Sequence, residues 1–244
     1  MACLLKQIKN MTKTIVITGA SRGIGLAVAE IFAANGYNLI ITSRNEMNLY
    51  KAMEELQLKY NHITVSAKAF DLSNKSEAIA FSTWSLSKSI PDILVNNSGI
   101  YKPGNISDEP DGALEEQIAT NLYAAYHVTR GLLPAMIKNK SGHIFNISSI
   151  AGQKAYPGGG AYSVSKFALH GFSTNLREEL KPHNIKVTTL FPGAVLTDSW
   201  GDFDNSNNRI MVKEDIAKMI FVTSQLSAGA CVEQIVMRPH LGDL

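Results

Sequence analysis

Residues 14–25 read "TIVITGASRGIG", and the fold turns on that stretch. It opens on five β-branched residues, Thr14 to Thr18, whose stiff side chains suit extended backbone, and predicts a buried strand over 14–19. Gly19, Ala20, Ser21, Arg22, Gly23, Ile24 and Gly25 complete the stretch. Glycines at 19, 23 and 25 permit a tight turn and let the backbone approach a pyrophosphate, which then sits on the N-terminus of the next helix. That helix is predicted over 25–36, "GLAVAEIFAANG", ending at a glycine. Glycines alone often only end strands. Strand, turn and helix in immediate succession predict a dinucleotide cradle.

Outward from this unit the same alternation repeats. Strands are predicted at 37–43, 63–71, 91–99, 142–149, 184–193 and 232–239. Helices are predicted at 46–59, 75–89, 112–139, 161–180 and 213–226. Alternating strands and helices predict a parallel sheet covered on both faces, with ligands at the carboxyl ends of the strands. Nothing divides the chain: no linker, internal repeat or low-complexity stretch is visible. The expectation is one doubly wound α/β domain of the Rossmann type over 13–244, with residues 1–12 a loose leader and Met11 an alternative start.

Composition narrows the function classes. The 244 residues are 45% hydrophobic, with a formal net charge of +2 and no basic cluster, so no nucleic-acid surface is expected. No uncharged apolar run approaches the ~18 residues that would span a bilayer, and "MACLLKQIKNMTK" is too short and too broken by Lys6 and Lys9 for a signal peptide. A soluble, cytoplasmic protein with no membrane partner is expected, Cys3 and Cys231 being reduced thiols. No His, Cys, Asp or Glu cluster has metal-ligand spacing, so no metal is expected.

The end of the second strand bears on which dinucleotide binds. A site for NAD places a carboxylate there for the ribose 2′-hydroxyl; this chain has "TSRNE", with Ser43 and Arg44 at that place. A guanidinium suits a 2′-phosphate, and Arg22 could flank the same group. Alternatively Arg44 is a solvated charge and Glu46 reads the ribose, although Glu46 is better placed as a first-turn helix charge. The reading favours NADP(H).

Further motifs follow in order: "NNSG" at 96–99, Asn121, Ser149, Tyr162-x-x-x-Lys166, and "PG" at 192–193. With the glycine turn, this ordered set resembles the short-chain dehydrogenase/reductases over about residues 13–195. Residues four apart on a helix share a face, and an ammonium beside a phenol favours phenolate. Tyr162 would thereby become a general acid for a ketone oxygen, or a base for an alcohol.

The resemblance implies further roles. Lys166 would also bond the nicotinamide ribose, and Ser149 would hold the carbonyl oxygen, with Ser148 the competing candidate that spacing disfavours. Asn121 would steady a water beside the lysine. Asp71 and Leu72 would contact the adenine, and Asn97 and Gly99 would line the cofactor, with Ser98 where alanine is more usual. Pro192, Gly193 and Val195 would flank the nicotinamide, and Thr197 would bond its carboxamide. Each feature also has an ordinary reading: a Tyr–Lys amphipathic pair, a Ser–Ser cap, a surface Asn. His127, His143 and His170 read as packing or surface residues.

After Thr197 the chain departs from ketoacyl-reductase relatives. Only "DSWGDFDNSNNRIMVK" (198–213) stands as a substrate lid, and the tail "VEQIVMRPHLGDL" lacks their terminal glycine pair. "PGAVLTDSWG", "EDIA" and the terminal "RP..GD" are similar to bacterial sepiapterin-reductase-like members. Trp200 and Phe203 could stack on a flat substrate, with Asp198, Asp202 or Asp204 meeting its nitrogens, or could simply anchor the loop while the aspartates are solvated. Lys138 and Lys140 offer only a thin basic rim to an acyl-carrier protein.

Three expectations follow. The first is an NADP(H)-dependent enzyme reducing a ketone or diketone of sepiapterin or small dicarbonyl type, with 3-ketoacyl-thioester reduction in fatty-acid synthesis as the alternative. The second is a non-catalytic NADP-sensing module, which would be expected to lose the tyrosine or lysine. The third is an assembly role, since the helices at 112–139 and 161–180 pair between subunits in the family; a homodimer or homotetramer is implied.

Overall fold

The computed structural model describes residues 12–243 of the chain. The leader expected over 1–12 therefore lies almost wholly outside the described residues. β1 (Thr14–Thr18), α1 (Gly23–Ala34), β2 (Asn38–Thr42), α2 (Glu46–Lys59) and β3 (Val65–Ala67) form the first half of the sheet and its cover. α3 (Lys75–Lys88) leads to β4 (Ile93–Asn96), then α4 (Ala113–Ile118), α5 (Ala124–Asn139), β5 (Gly142–Ile147), α6 (Gly160–Leu180) and β6 (Ile185–Pro192). The chain finishes through β7 (Val195–Leu196), β8 (Met211–Val212), α7 (Lys213–Ser224) and β9 (Gln234–Met237).

Seven strands lie in the order β3-β2-β1-β4-β5-β6-β9, and every pairing is parallel. The strand order reverses between β1 and β4, which opens a crevice at their carboxyl ends. Period-two alternation explains why the strands read as unbroken β-branched runs. Ile15, Ile17, Leu39 and Ile41 pack on one face against Val28 and Phe32 of α1 and Ile216 and Ile220 of α7. Val16, Ile40, Leu94 and Ile144 pack on the other, against Phe81 of α3, Val128 and Leu132 of α5 and Leu176 of α6. Both faces are core, so the polar residues Asn96, His143, Asn146 and Thr188 that the strands carry there are buried and paired: Asn96 Nδ2 donates to Asn146 Oδ1, and His143 shares a hydrogen bond with Thr188. Phe32 is fully buried, and truncating it to Ala would cost about 3–5 kcal/mol.

Three elements differ from the sequence-based expectation. The strand expected over 63–71 keeps ladder geometry only at Val65–Ala67; beyond it Phe70 N–H still donates to Ser43 O, at 3.3 Å, as irregular chain. The helix expected over 112–139 is interrupted by a π-helical turn, Ala119–Tyr123. Val195–Leu196 and Met211–Val212 form a separate parallel pair at the two ends of the lid. Among the described residues no helix is long and apolar enough to cross a membrane.

Candidate active site

A cleft of about 630 Å³ opens at the switch point between β1 and β4. Its floor is the glycine turn, where Gly19 and Gly23 hold φ of +65° and +58°, a region that only glycine enters without strain. Asn97 ties this turn to β4: its Nδ2 donates to the carbonyls of Thr18 and Gly19, each at 3.0 Å. The Thr18 hydroxyl accepts from the N–H groups of Asn97 and Ser98, both at 2.9 Å. Gly25 plays a different part. A Cβ there would stand 2.3 Å from Gly19 O, so it lets α1 pass close beneath the turn and does not line the cleft.

At the end of β2, Ser43 and Arg44 line the cleft and Glu46 does not. Asn45 caps α2 by accepting from Asn48 N–H at 2.8 Å, which leaves Glu46 in the first helical turn, outside the lining. Arg44 is exposed and has no ion-pair partner among the described residues. Arg22 is engaged, pairing with Asp198 across the mouth at 3.3 Å. Asp71 and Leu72 form the far wall, the Asp71 carboxylate accepting from Ser73 Oγ at 2.7 Å.

The chemical end gathers residues from β5, α4–α5 and α6. Ser149 follows β5, and its Oγ accepts from Ala151 N–H at 3.1 Å and bonds Tyr162. Ser148, the competing candidate, points into the core and donates to Lys166 O at 3.2 Å. Lys166 is 5% exposed, its Nζ donates to Ile147 O at 3.0 Å, and burial pushes its pKa down to about 8. Asn121 sits in the π-helical turn, where its Oδ1 accepts from Ile100 N–H at 2.8 Å and its Nδ2 donates to Ile100 O and Ser165 Oγ. Gly99 keeps the space beside these groups open; a Cβ there would be 3.1 Å from Asn121 Oδ1 and 3.5 Å from Lys166 Nζ.

One electrostatic expectation is corrected. Burial pushes the Tyr162 phenol above its ordinary pKa; the Ser149 hydrogen bond opposes this and the neighbouring Tyr101 adds to it. The ammonium of Lys166 stands 5.8 Å from the Tyr162 ring centroid, and it does not overcome desolvation.

Of the expected cofactor residues, Gly19, Ser21, Arg22, Gly23, Ile24, Ser43, Arg44, Asp71, Leu72, Asn97, Gly99, Tyr162, Lys166 and Thr197 line this one cleft. Pro192, Gly193 and Val195 do not. Pro192 and Val195 are buried, and Gly193 faces the tail, where a Cβ would meet Asp243 Oδ1 at 2.9 Å. Tyr101 and Lys102 of the lining escaped sequence reading, although only Ile100 separates them from "NNSG". The Tyr101 ring meets Tyr162 edge-on at 4.8 Å, and Tyr156 hydrogen-bonds Tyr101, so two further phenols lie near Tyr162. Trp200 and Phe203 pack on each other edge-to-face at 5.2 Å and neither lines the cleft, in line with the anchoring alternative. Asp204 accepts from Ser206 N–H in a turn. Arg209 fastens the lid to the tail by donating to the carbonyls of Gly242 and Asp243, each at 2.9 Å. Among the described residues no three His, Cys, Asp or Glu side chains could hold a metal.

A glycine turn at the switch point of a parallel sheet, with Ser149, Tyr162 and Lys166 gathered beside it, defines a nucleotide-binding fold of the short-chain type. The chain belongs to the short chain dehydrogenase family, whose sequence profile matches residues 13–208. It is 31% identical over 228 residues to an uncharacterized oxidoreductase of Staphylococcus saprophyticus, covering 93% of this chain and 97% of that one. It is 30% identical over 243 residues to the sepiapterin reductase of Chlorobaculum tepidum, covering 96% and 99%. Among solved structures it resembles a metagenomic short-chain oxidoreductase in complex with NADP, with a TM-score of 0.81, 32% identity and coverage of 93% and 96%. It also resembles L-sorbose reductase from Gluconobacter frateurii, complexed with NADPH and L-sorbose, with a TM-score of 0.84, 27% identity and coverage of 93% and 95%.

Proposed function

We propose that the chain is an NADP(H)-dependent oxidoreductase that reduces a carbonyl to an alcohol, with Tyr162 as the proton donor. The observation that carries this reading is the convergence of Ser149, Tyr162 and Lys166 beside the cleft that holds the glycine turn. The cleft suits a dinucleotide: Gly19 and Gly23 shape a cradle for phosphates, and Gly99 leaves room for a ribose beside Lys166. Arg44, exposed and unpaired at the end of β2, suits a 2′-phosphate, and relatives bound to NADP or NADPH support the same choice.

The bound dihydronicotinamide would supply the hydride. The protein's part is to hold and move a proton. Ser149 Oγ donates to the substrate oxygen and fixes it against the Tyr162 hydroxyl. The raised pKa keeps Tyr162 protonated until charge develops on that oxygen, as a general acid requires. Lys166, mostly charged at neutral pH, then stabilises the phenolate that remains. Asn121 holds the backbone of Ile100 beside this group and steadies a water next to the lysine.

For the substrate, a sepiapterin-type or small dicarbonyl compound is favoured over a 3-ketoacyl thioester. Near full-length similarity to a sepiapterin reductase supports this, as do the short lid and the two phenols of Tyr101 and Tyr156 at the chemical end. In keeping with the family, the chain would act as a homodimer or homotetramer, which light scattering tests. The deciding experiment is NADPH oxidation with sepiapterin and acetoacetyl thioester in parallel. Preference for sepiapterin is expected; preference for the thioester would move the protein to fatty-acid reduction.

A further inference from the structure

We propose a second ligand site at the opposite end of the sheet, a cavity that binds a small, multiply charged anion such as a phosphate ester or polycarboxylate. The cavity has about 630 Å³ and lies where β1, β4, β5 and β6 begin, so it shares no lining with the cofactor cleft. Five cations face it: Lys13, Lys140, Arg177, Lys181 and Lys186. The opposing carboxylate in the lining is Asp92, whose Oδ2 already accepts from Thr14 N–H at 2.8 Å. His143 also lines it but adds no charge near neutral pH, because burial and Lys186 hold its pKa at about 3.

The partners of these cations leave the cavity electropositive. Lys13 and Lys140 have no ion-pair partner among the described residues. Arg177 reaches Glu233 at 3.3 Å and Lys181 pairs with Glu178, but both glutamates are well exposed and neither lines the cavity. Lys186 donates to the carbonyls of Leu226 and Ser227 and has no ion-pair partner among the described residues. Arg177 Nε is buried with no acceptor among the described residues, so its guanidinium is incompletely satisfied by the protein.

Helix dipoles account for part of this arrangement. α5 and α6 end at the cavity, and cations near helix C-termini are stabilising, which explains Lys140, Arg177 and Lys181. Lys186 meets carbonyls just past the C-terminus of α7, whereas Lys13 stands before β1, where no helix dipole calls for it. Like charges gathered in a concavity with low-dielectric walls raise the local concentration of anions. A volume of about 630 Å³ is of the size that holds a small molecule.

Calorimetric titration of the full chain with tripolyphosphate and with citrate, at low ionic strength, tests this. Saturable binding is expected, weakened at least tenfold in Lys13→Gln/Lys140→Gln and unchanged in Arg44→Gln, which reports the cofactor cleft. Binding of tripolyphosphate alone would assign phosphate esters, and equal binding of citrate would assign polyanions in general. Lys181→Gln serves in the same way should the double variant fail to fold. Absence of binding by either anion overturns the proposal, as does full-strength binding in the lysine variants or loss of binding in Arg44→Gln. Tight binding of a hexaglutamate peptide without either small anion would also overturn it, in favour of an acidic protein partner.

Discussion

Lys166 Nζ stands 5.8 Å from the centroid of the Tyr162 ring and donates to Ile147 O at 3.0 Å. The lysine is therefore a buried charge held by a strand end, and burial lowers its pKa to about 8. A lowered pKa means that the charged form is lost at a lower pH than usual. In the proposed mechanism that form stabilises the Tyr162 phenolate, so the rate of carbonyl reduction should hold below about pH 8 and fall as pH rises through it. In Lys166→Arg the charge persists, and the decline should move to higher pH on a lower plateau. A pH–rate profile flat to pH 10 would remove Lys166 from the proton step.

Tyr162→Phe deletes the hydroxyl and keeps the ring that packs against Tyr101. General acid catalysis contributes about 10²–10⁴-fold, so kcat should drop by that range while NADPH affinity, read by fluorescence titration, stays within about threefold. Normal turnover in this variant would mean that another group supplies the proton.

The sheet was legible because both of its faces are core, which leaves Thr14–Thr18 and its neighbours as unbroken apolar or β-branched runs. The Tyr162–Lys166 pair was legible as two residues four apart on one helix face, whereas Ser149 and Asn121 were singled out only through the resemblance of the ordered motifs to the family. What escaped has physical causes. The π-helical turn that sets Asn121 against the backbone of Ile100 shifts the helical register by one residue, and a 3.6-residue period carries no mark of it. The direction of the Tyr162 shift depends on burial, whereas spacing reveals only the ammonium. Gly193 meets the tail through a contact between segments distant in sequence, which no local pattern encodes.

His143 offers a test of acid stability. It is 5% exposed, stacks on Phe145 with ring centroids 3.9 Å apart, and shares a 2.7 Å hydrogen bond with Thr188. Burial chiefly, then Lys186, depresses its pKa to about 3 from 6.5. The unfolded chain therefore binds a proton that the folded chain refuses between these values. Stability from this group is complete above about pH 6.5 and is lost as pH falls toward 3, by at most about 4–5 kcal/mol. His143→Gln should flatten that part of the stability curve in urea unfolding between pH 4 and 7. An unchanged slope would mean that His143 is protonated in the fold.

Arg22 and Arg44 should affect the cofactor in opposite ways when their surroundings are altered. Arg44 has no ion-pair partner among the described residues and is exposed at the end of β2, so Arg44→Asp would remove the proposed phosphate contact and add repulsion. The KM for NADPH should rise about ten- to a hundredfold, corresponding to roughly 1.5–3 kcal/mol, and that for NADH far less. Arg22 is held by Asp198 at 3.3 Å, with side chains 69% and 59% exposed. A 2′-phosphate that draws on Arg22 must first displace this carboxylate. Asp198→Asn should therefore tighten NADPH binding by up to about fivefold, the limit for an exposed pair, and leave NADH unchanged. The gain should vanish as salt screens the pair. If Asp198→Asn weakens both cofactors equally, the aspartate supports the lid and does not compete with the phosphate.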